Sequence, residues 1–281
     1  MNESLTAILE DTTATRVMGI LNATPDSFYD GGRYCDPAHA AAHAARMVAE
    51  GAHILDVGAE SSRPGAEPIG LDEELRRALP AVEAAVATGA PVSIDTWRAA
   101  TAERALAAGA VMVNDITGLR GDPDMARVIA AAHCFCVIMH MQGAPKTMQN
   151  NPVYDDAVAD ISAFFQERIE YALAKGIPEN RIWLDPGFGF GKTVEQNLDL
   201  LRRLDAFNAL GFPLLIGTSN KSTIGAVLDA PLEDRRDGTA ATVAIAISKG
   251  VHCVRVHDVR AMARAARMSD AILRGTLRVE A

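Results

Sequence analysis

The chain has 281 residues, of which 49% are hydrophobic and 5% aromatic, and its formal net charge is −9. This length suits one large α/β domain or two small ones, and the negative charge argues against non-specific binding to nucleic acid. No stretch is long and apolar enough to span a bilayer, and the N-terminus lacks the basic-then-apolar order of a signal peptide. We therefore expect a soluble, cytoplasmic protein that binds neither nucleic acid nor membranes.

Short apolar runs alternate along the chain with longer Ala-, Leu-, Arg- and Glu-rich segments of helical period. The runs predict eight strands, at Val17–Leu21, His53–Val57, Pro91–Ile94, Val111–Asn114, Cys134–His140, Ile182–Asp185, Pro213–Gly217 and Cys253–Val256. The segments between them predict eight helices, at Pro37–Glu50, Asp72–Thr88, Arg98–Ala108, Asp124–Ala132, Asp155–Lys175, Val194–Leu210, Gly238–Lys249 and Asp258–Leu273.

Eight strand-then-helix units over this length predict a single-domain (β/α)8 TIM barrel of the α/β class, for which about 250 residues are typical. A doubly wound open sheet uses the same alternation and stays the alternative. Residues 1–14 are polar and are predicted to form a flexible N-terminal segment, with the barrel domain over residues 15–281.

Every predicted strand ends in a polar or charged residue or is followed by one, and these ends meet at one face of a barrel. In strand order they are Asn22; Asp56; Asp95; Asn114 and Asp115; His140 and Gln142; Asp185; Ser219, Asn220 and Lys221; and Arg255 and His257. Helix N-caps would account for one or two such residues. Polar residues at the ends of all eight strands indicate an active site.

These residues divide by chemistry. Asp95, Asn114 and Asp185 offer hydrogen-bonding groups that match a neutral heterocycle with a guanidine-like edge. A second set suits an anionic leaving group such as a diphosphate with Mg²⁺, with Asn22 as a neutral oxygen donor. Its cationic members are Arg63, Lys221, Arg255 and His257.

The segment from Asp185 to Thr193 contains Gly-Lys-Thr and resembles the end of a nucleotide-binding P-loop. That motif needs glycine six positions before its lysine, and Pro186 stands six positions before Lys192, so we reject this interpretation. We expect the glycines to let the backbone approach a flat ligand, with Phe188 and Phe190 as walls.

Eight segments of the chain occur in the order found in one known family. They are Met18–Phe28, Asp56–Ala66, Ser93–Thr96, Asn114–Ile116, Met139–Gly143, Leu184–Thr193, Lys221–Gly225 and Val254–Val259. Through them the chain resembles dihydropteroate synthases from about Arg16 to Gly275. The resemblance implies a barrel that joins 6-hydroxymethyl-7,8-dihydropterin diphosphate to p-aminobenzoate and releases diphosphate.

The resemblance also implies residue roles. Pterin binding falls on Asp95, Asn114, Met139, Asp185 and Lys221. Diphosphate binding falls on Asn22, Arg63, Arg255 and His257, and Asn22 would also bind Mg²⁺, the implied cofactor. The p-aminobenzoate pocket falls on Ser62, Arg63, Pro64, Phe190, Lys221 and Ser222. The expected catalytic residues are Asp95, Asp185, Lys221 and Arg255, and the family's habit of dimerising through late barrel helices implies a homodimer.

Three rivals remain at this point. A pterin-dependent methyltransferase shares the barrel and the Asp/Asn/Asp set, and a regulatory barrel would bind pterin without turnover. A synthase that uses a different arylamine is the third, because Asn220 stands where the family usually has arginine. For any synthase of this kind, a weak arylamine nucleophile favours a cation-like transition state in which positioning and electrostatics supply most of the catalysis.

Overall fold

The structure is a computed structural model, and it describes residues 3–23, 37–61 and 67–275. Its strands are β1 (Arg16–Asn22), β2 (Ile54–Gly58), β3 (Val92–Asp95), β4 (Met112–Asp115), β5 (Phe135–Met139), β6 (Ile182–Asp185), β7 (Leu215–Ile216) and β8 (Cys253–Val256). All pair in parallel in the order β6-β5-β4-β3-β2-β1-β8-β7, and a bridge between Leu184 and Leu214 brings β6 to β7. The predicted barrel is confirmed, and the open sheet is wrong.

Helices alternate with the strands in the described part of the chain. They are α1 (Glu3–Glu10), α2 (Pro37–Ala49), α3 (Leu71–Val86), α4 (Ala99–Ala107), α5 (Met125–Ala132), α6 (Ala157–Ala174), α7 (Val194–Arg202), α8 (Ser222–Leu228), α9 (Arg236–Ser248) and α10 (Val259–Arg274). The predicted helix over 194–210 is split into α7 and a 3₁₀ segment, Leu204–Leu210, and neither α1 nor α8 was predicted. None of the described helices has the length and apolar character needed to cross a membrane.

The barrel interior is mostly apolar below the carboxyl ends of the strands. Met18, Met112, Phe135 and Trp183 fill it and are almost fully buried, while a second core fills the space between strands and helices. Because both faces of each strand are covered, the strands are apolar almost throughout, and polar residues lie mainly at their ends. This packing confines the chemistry to one face of the barrel.

Helix α1 lies at the opposite face of the barrel, within the segment 1–14 that was predicted to be flexible. Leu9 is 1% exposed among the interior side chains, with Leu5 partly buried beside it. Arg16 donates to the Asp11 carbonyl at 3.1 Å and pairs with its carboxylate, and Thr15 Oγ1 lies 2.9 Å from Asp270. The sequence did not predict this helix because the apolar residues that face the barrel, Leu5 and Leu9, span only one helical turn.

Candidate active site

The strand register brings the predicted site residues to one level. Asn22 lies opposite Gly58, Gly58 opposite Asp95, and Asp95 opposite Asn114, so four neighbouring strands end together. A Cβ atom at Gly58 would lie 3.6 Å from Asp95 Oδ2 and 3.9 Å from Asn22 Oδ1. Both are ordinary van der Waals distances, so the carboxyl end of β2 lies in contact with Asp95 and Asn22.

A buried guanidinium holds together the carboxylates on this side of the barrel mouth, which is the opening at the carboxyl ends of the strands. Arg255 Nε donates to Asp56 Oδ2 at 2.6 Å, and its Nη2 donates to Asp95 Oδ2 at 2.7 Å. Asn114 Nδ2 donates to the same Asp56 oxygen at 3.2 Å. Asp56 is fully buried in the middle of β2 rather than at its end, where the sequence predicted it, and its observed contacts are with Asn114 and Arg255.

Burial and charge shift the protonation of these groups in opposite directions. Burial raises the pKa of Asp95 to about 7, although the charge of Arg255 works against this rise. Burial alone would lower the pKa of Arg255, but the carboxylates of Asp56 and Asp95 outweigh it and raise the pKa. The free site thus holds a permanent cation beside a carboxyl group that titrates near neutral pH.

Asp185 and Lys221 form the second charged group, on β6 and after β7. Asp185 Oδ1 accepts the Gly187 N–H at 2.8 Å, and the Lys221 ammonium donates to the Phe188 carbonyl. Burial raises the pKa of Asp185, which Lys221 opposes, and burial lowers the pKa of Lys221 to about 7, which Asp185 opposes. Each group therefore favours the charged form of the other.

An apolar wall lies next to Asp185 at the carboxyl ends of the strands. Met139 packs with Ile116, Met141 and Met148, and Phe190 packs against this cluster. Since β5 and β6 place Met139 level with Asp185, the wall adjoins a carboxylate, as a flat polar heterocycle requires. Ile116 and Met148 were not predicted, because single apolar residues in loops give no sequence signal of function.

Phe188 is not a wall of the mouth. It is 1% exposed and packs in the core between strands and helices, so only Phe190 of the predicted pair reaches the site. The Phe190 ring centroid lies 4.2 Å from Lys221 Nζ, within the range of a cation–π contact. Lys221 is the N-cap of α8 and Ser222 its first residue, so this unpredicted helix sets their positions.

Lys192 holds the loop after β6 and has no exposed charge for a phosphate. Its Nζ lies 2.9 Å from the Gly187 carbonyl oxygen, 3.0 Å from that of Phe190 and 3.1 Å from His140 Nδ1. These three acceptors match the three donors of an ammonium group. Burial lowers the pKa of His140 to about 2, with Lys192 adding to the effect, so the imidazole is neutral.

Three polar residues predicted at the strand ends make hydrogen bonds that stabilise the surrounding loops instead. His140 anchors Lys192, and Gln142 pairs through both its amide atoms with the backbone of Val153. Asp115 accepts the backbone N–H of Thr117 at 2.7 Å. The alternation of a strand explains the last case, since Asn114 faces the barrel and its neighbour Asp115 must face away.

His257 lies at the rim of the mouth, on the chain after β8. Its backbone N–H donates to Ser219 Oγ at 3.2 Å, and its Nδ1 lies 3.0 Å from the same oxygen. The imidazole is exposed to solvent. The position suits a cationic or hydrogen-bonding contact with an anion that extends out of the barrel.

Asn220 adopts a left-handed backbone with φ 59°, which asparagine tolerates better than most residues. Its carbonyl oxygen accepts Nη1 of Arg235 at 3.0 Å, and its N–H lies 3.2 Å from Thr239 Oγ1. A guanidinium group from the start of α9 therefore lies next to this position, although residue 220 is itself neutral.

The remaining predicted residues, Ser62, Arg63 and Pro64, lie outside the described residues, as does most of the loop after Asn22. Their roles stay predictions.

Comparisons with known proteins agree with this geometry. A family model described as "Pterin binding enzyme" matches residues 18–257. The dihydropteroate synthase of Bacillus subtilis is 46% identical over 92% of this chain and 89% of its own length, and that of Synechocystis is 48% identical over 92% and 91%.

Solved structures give the same result. A dihydropteroate synthase from Clostridium difficile, crystallised in the presence of pteroic acid, has a TM-score of 0.88 at 47% identity and covers 93% of this chain and 97% of its own. The Xanthomonas albilineans enzyme with 4-aminobenzoic acid has a TM-score of 0.87 at 42% identity and covers 93% and 94%. Fold and site thus define a pterin-binding barrel enzyme. The chain belongs to the dihydropteroate synthase family, and the methyltransferase alternative is not favoured.

Gly189 tests how closely the loop after β6 fits Lys221. Its φ is +82°, and a Cβ atom there would lie 2.6 Å from Lys221 Cδ. We expect Gly189→Ala to displace the lysine and to raise the dissociation constant of a pterin by roughly tenfold, because about 1.4 kcal/mol of contact is lost. Isothermal titration calorimetry measures this.

Gly211→Ala is the matched control. Gly211 has φ +81°, but a Cβ atom there would meet no heavy atom within 4 Å, so both variants carry the same backbone cost of roughly 1–2 kcal/mol in stability. Equal pterin affinities in the two variants would contradict the close fit.

Proposed function

We propose that the chain transfers the pterin-methyl group of 6-hydroxymethyl-7,8-dihydropterin diphosphate to the amine of p-aminobenzoate. The C–O bond to diphosphate breaks, a C–N bond forms, and the amine loses a proton. The observation that carries the proposal is the single mouth in which Asp95, Asn114, Asp185 and Lys221 surround one apolar wall. The complexes of relatives with pteroic acid and 4-aminobenzoic acid support both substrates.

The pterin ring would lie against Met139, with its polar edge towards the carboxylates. A pterin presents paired N–H donors along its amide and 2-amino edge, which Asp185 accepts well because carboxylates take such pairs in bidentate fashion. Asp95 and Asn114 offer further acceptors at the level of the neighbouring strands. Lys221 would donate to the ring carbonyl or ring nitrogen.

The leaving diphosphate would lie towards Asn22, Arg255 and His257. Magnesium usually takes one or two protein oxygens and keeps the rest of its ligands from water and substrate phosphate. Within the described residues no group of three or more acidic, histidine or cysteine side chains could hold a metal alone, so the donor set fits an ion shared with the diphosphate. Asn22 would supply the protein oxygen, and the bound ion would neutralise charge on the leaving group.

Electrostatics would drive the reaction. The arylamine is a weak nucleophile, so charge develops on the pterin before the new bond is complete, and Asp95 and Asp185 stabilise that positive charge. Phe190, Lys221 and Ser222 would border the p-aminobenzoate. Ser62, Arg63 and Pro64 complete this pocket in the proposal, and Arg63 adds a cation near the diphosphate.

A product assay tests the proposed function. Purified protein, Mg²⁺, the dihydropterin diphosphate and p-aminobenzoate are incubated, and dihydropteroate is followed by mass. We expect Asp185→Asn to lower kcat by roughly 10²-fold or more while changing the pterin dissociation constant less, because the charge matters most in the transition state.

Asp124→Asn, an exposed surface variant, is the control and should match the wild type. Equal losses in kcat and in affinity would refute the electrostatic role of Asp185. Absence of dihydropteroate with the wild type, together with product from another arylamine, would identify a different acceptor.

The protonation of Asp95 predicts a pH dependence of pterin binding. Only the ionised carboxylate accepts N–H groups through both oxygens, and burial raises its pKa to about 7. Affinity for 6-hydroxymethylpterin should therefore rise between pH 5 and pH 7.5. Fluorescence titrations of wild type and Asp95→Asn would check this, and the same rise in the variant would show that another group titrates.

We also propose a homodimer through α8, α9 and α10. Most of the large exposed apolar side chains in the described residues lie on or between these helices, including Val227 (54% exposed), Met268 (63%) and Ile272 (69%). Sedimentation velocity should show a dimer that Met268→Glu with Ile272→Glu dissociates, whereas Leu173→Glu on α6 should not. A monomeric wild type at micromolar concentration would contradict this. The cytoplasmic location and the lack of nucleic-acid partners stay predictions.

A further inference from the structure

The hydrogen bonds of Asp56 decide which way the Asn114 amide faces. Asp56 Oδ2 lies 2.6 Å from Arg255 Nε, and a guanidinium only donates, so this oxygen is an acceptor. The atom of Asn114 that lies 3.2 Å from the same oxygen must therefore be Nδ2. The other amide atom of Asn114 is therefore the carbonyl oxygen, Oδ1. This assignment follows from the hydrogen bonds of Asp56 and not from the Asn114 rotamer alone.

That carbonyl oxygen lacks a donor. Asn114 Oδ1 is buried and has no hydrogen-bond partner within the described residues, and the same holds for Asp56 Oδ1. Buried acceptors without partners are rare in folded proteins, and each requires an N–H or O–H group from water or a ligand. Asn114 lies level with Asp95 at the mouth, and Ile116 of the apolar wall is only two residues further along the chain.

We propose that Asp56 is a positioning residue that sets the ligand specificity of the mouth: by holding Nδ2 of Asn114, it leaves Oδ1 as an acceptor and selects a ring edge that carries an N–H donor. This inference rests on the proposed function, since it takes the pterin as the ligand. It adds the residue pair through which the site distinguishes a ring edge with a 2-amino group from an edge without an N–H donor. Asp56 is fully buried, so it acts through Asn114 rather than on the ligand.

Two ligands report this selection directly. They are 6-hydroxymethylpterin and its analogue without the 2-amino group, and calorimetry gives the dissociation constant of each. The wild type should prefer the amino ligand by roughly tenfold or more, since the analogue withdraws one N–H donor from Asp185 and a second from Oδ1 of Asn114. Asp56→Ala should reduce that preference by about fivefold, because the amide of Asn114 can then turn its NH₂ group towards the ligand.

The conservative variant separates hydrogen bonding from charge. Asp56→Asn keeps a carbonyl oxygen beside Arg255 and Asn114, so its preference should stay within about twofold of the wild type. Ser93→Ala is the matched control, because Ser93 lies opposite Asp56 in the β2–β3 pairing and its buried hydroxyl has no partner within the described residues. This variant should leave the preference unchanged.

A double-mutant cycle with Asn114→Ala shows whether the effect passes through Asn114. In the Asn114→Ala background, Asp56→Ala should leave the ligand preference unchanged. If Asp56→Ala does not fold, Asp56→Leu fills the space without an acceptor and carries the same expectation.

Equal weakening of both ligands by Asp56→Ala would overturn the inference and leave the proposed function standing. So would a loss of preference that persists in the Asn114→Ala background. A wild-type protein that binds neither ligand would overturn the proposed function itself, and the inference with it.

Discussion

One buried guanidinium, that of Arg255, allows two carboxylates to lie close together in the mouth of this barrel. Asp56 is completely buried and the Asp95 side chain is 12% exposed, and two carboxylates so close together could not both be ionised without compensation. Arg255 donates to both at 2.6 and 2.7 Å. Removing one member of such a group leaves an uncompensated buried charge, so the three side chains act as a unit.

The arrangement of charge follows from this unit. Arg255 and its carboxylates lie on β2, β3 and β8, while Asp185 ends β6 and Lys221 follows β7, and each of these two charges shifts the pKa of the other. The apolar wall around Met139 adjoins Asp185, and the charges of Arg255 and Asp95 also reach Lys221. A ring on that wall would meet acceptors at its polar edge, and an anionic leaving group would meet Arg255, which fits a reaction with a cation-like transition state.

Rigid supports keep these groups in place. Helix α1 packs Leu9 against the interior side chains at the opposite face of the barrel. Lys192 hydrogen-bonds to the Gly187 and Phe190 carbonyls of the loop after β6 and to His140. The preorganised dipoles and charges of an active site are effective only when such supports prevent them from relaxing. Lys192 therefore contributes to the site through the loop that carries Gly189 and Phe190.

The sequence predicted the barrel and the strand-end residues because both depend on local patterns. Apolar runs of strand length alternate with helical segments, Asn22, Asp95 and Asp185 each end a strand, and Asn114 lies one residue before the end of β4. It could not separate Asn114 from Asp115, because facing into or out of the barrel depends on strand phase. It also missed α8, whose short apolar pattern is weak, and the contacts of Asp56, which join residues 199 positions apart.

The protonation of Asp95 in the free protein tests the central claim most directly. Carbon-13 NMR of labelled aspartate carboxyl groups, compared with the Asp95→Asn variant, would assign and titrate this group. Burial beside Arg255 predicts one carboxyl group with a pKa of about 7 that disappears in the variant. An Asp95 that titrates at the usual value of aspartate, about 3.9, would contradict the account, because the attraction of Arg255 would then outweigh burial and the repulsion of Asp56.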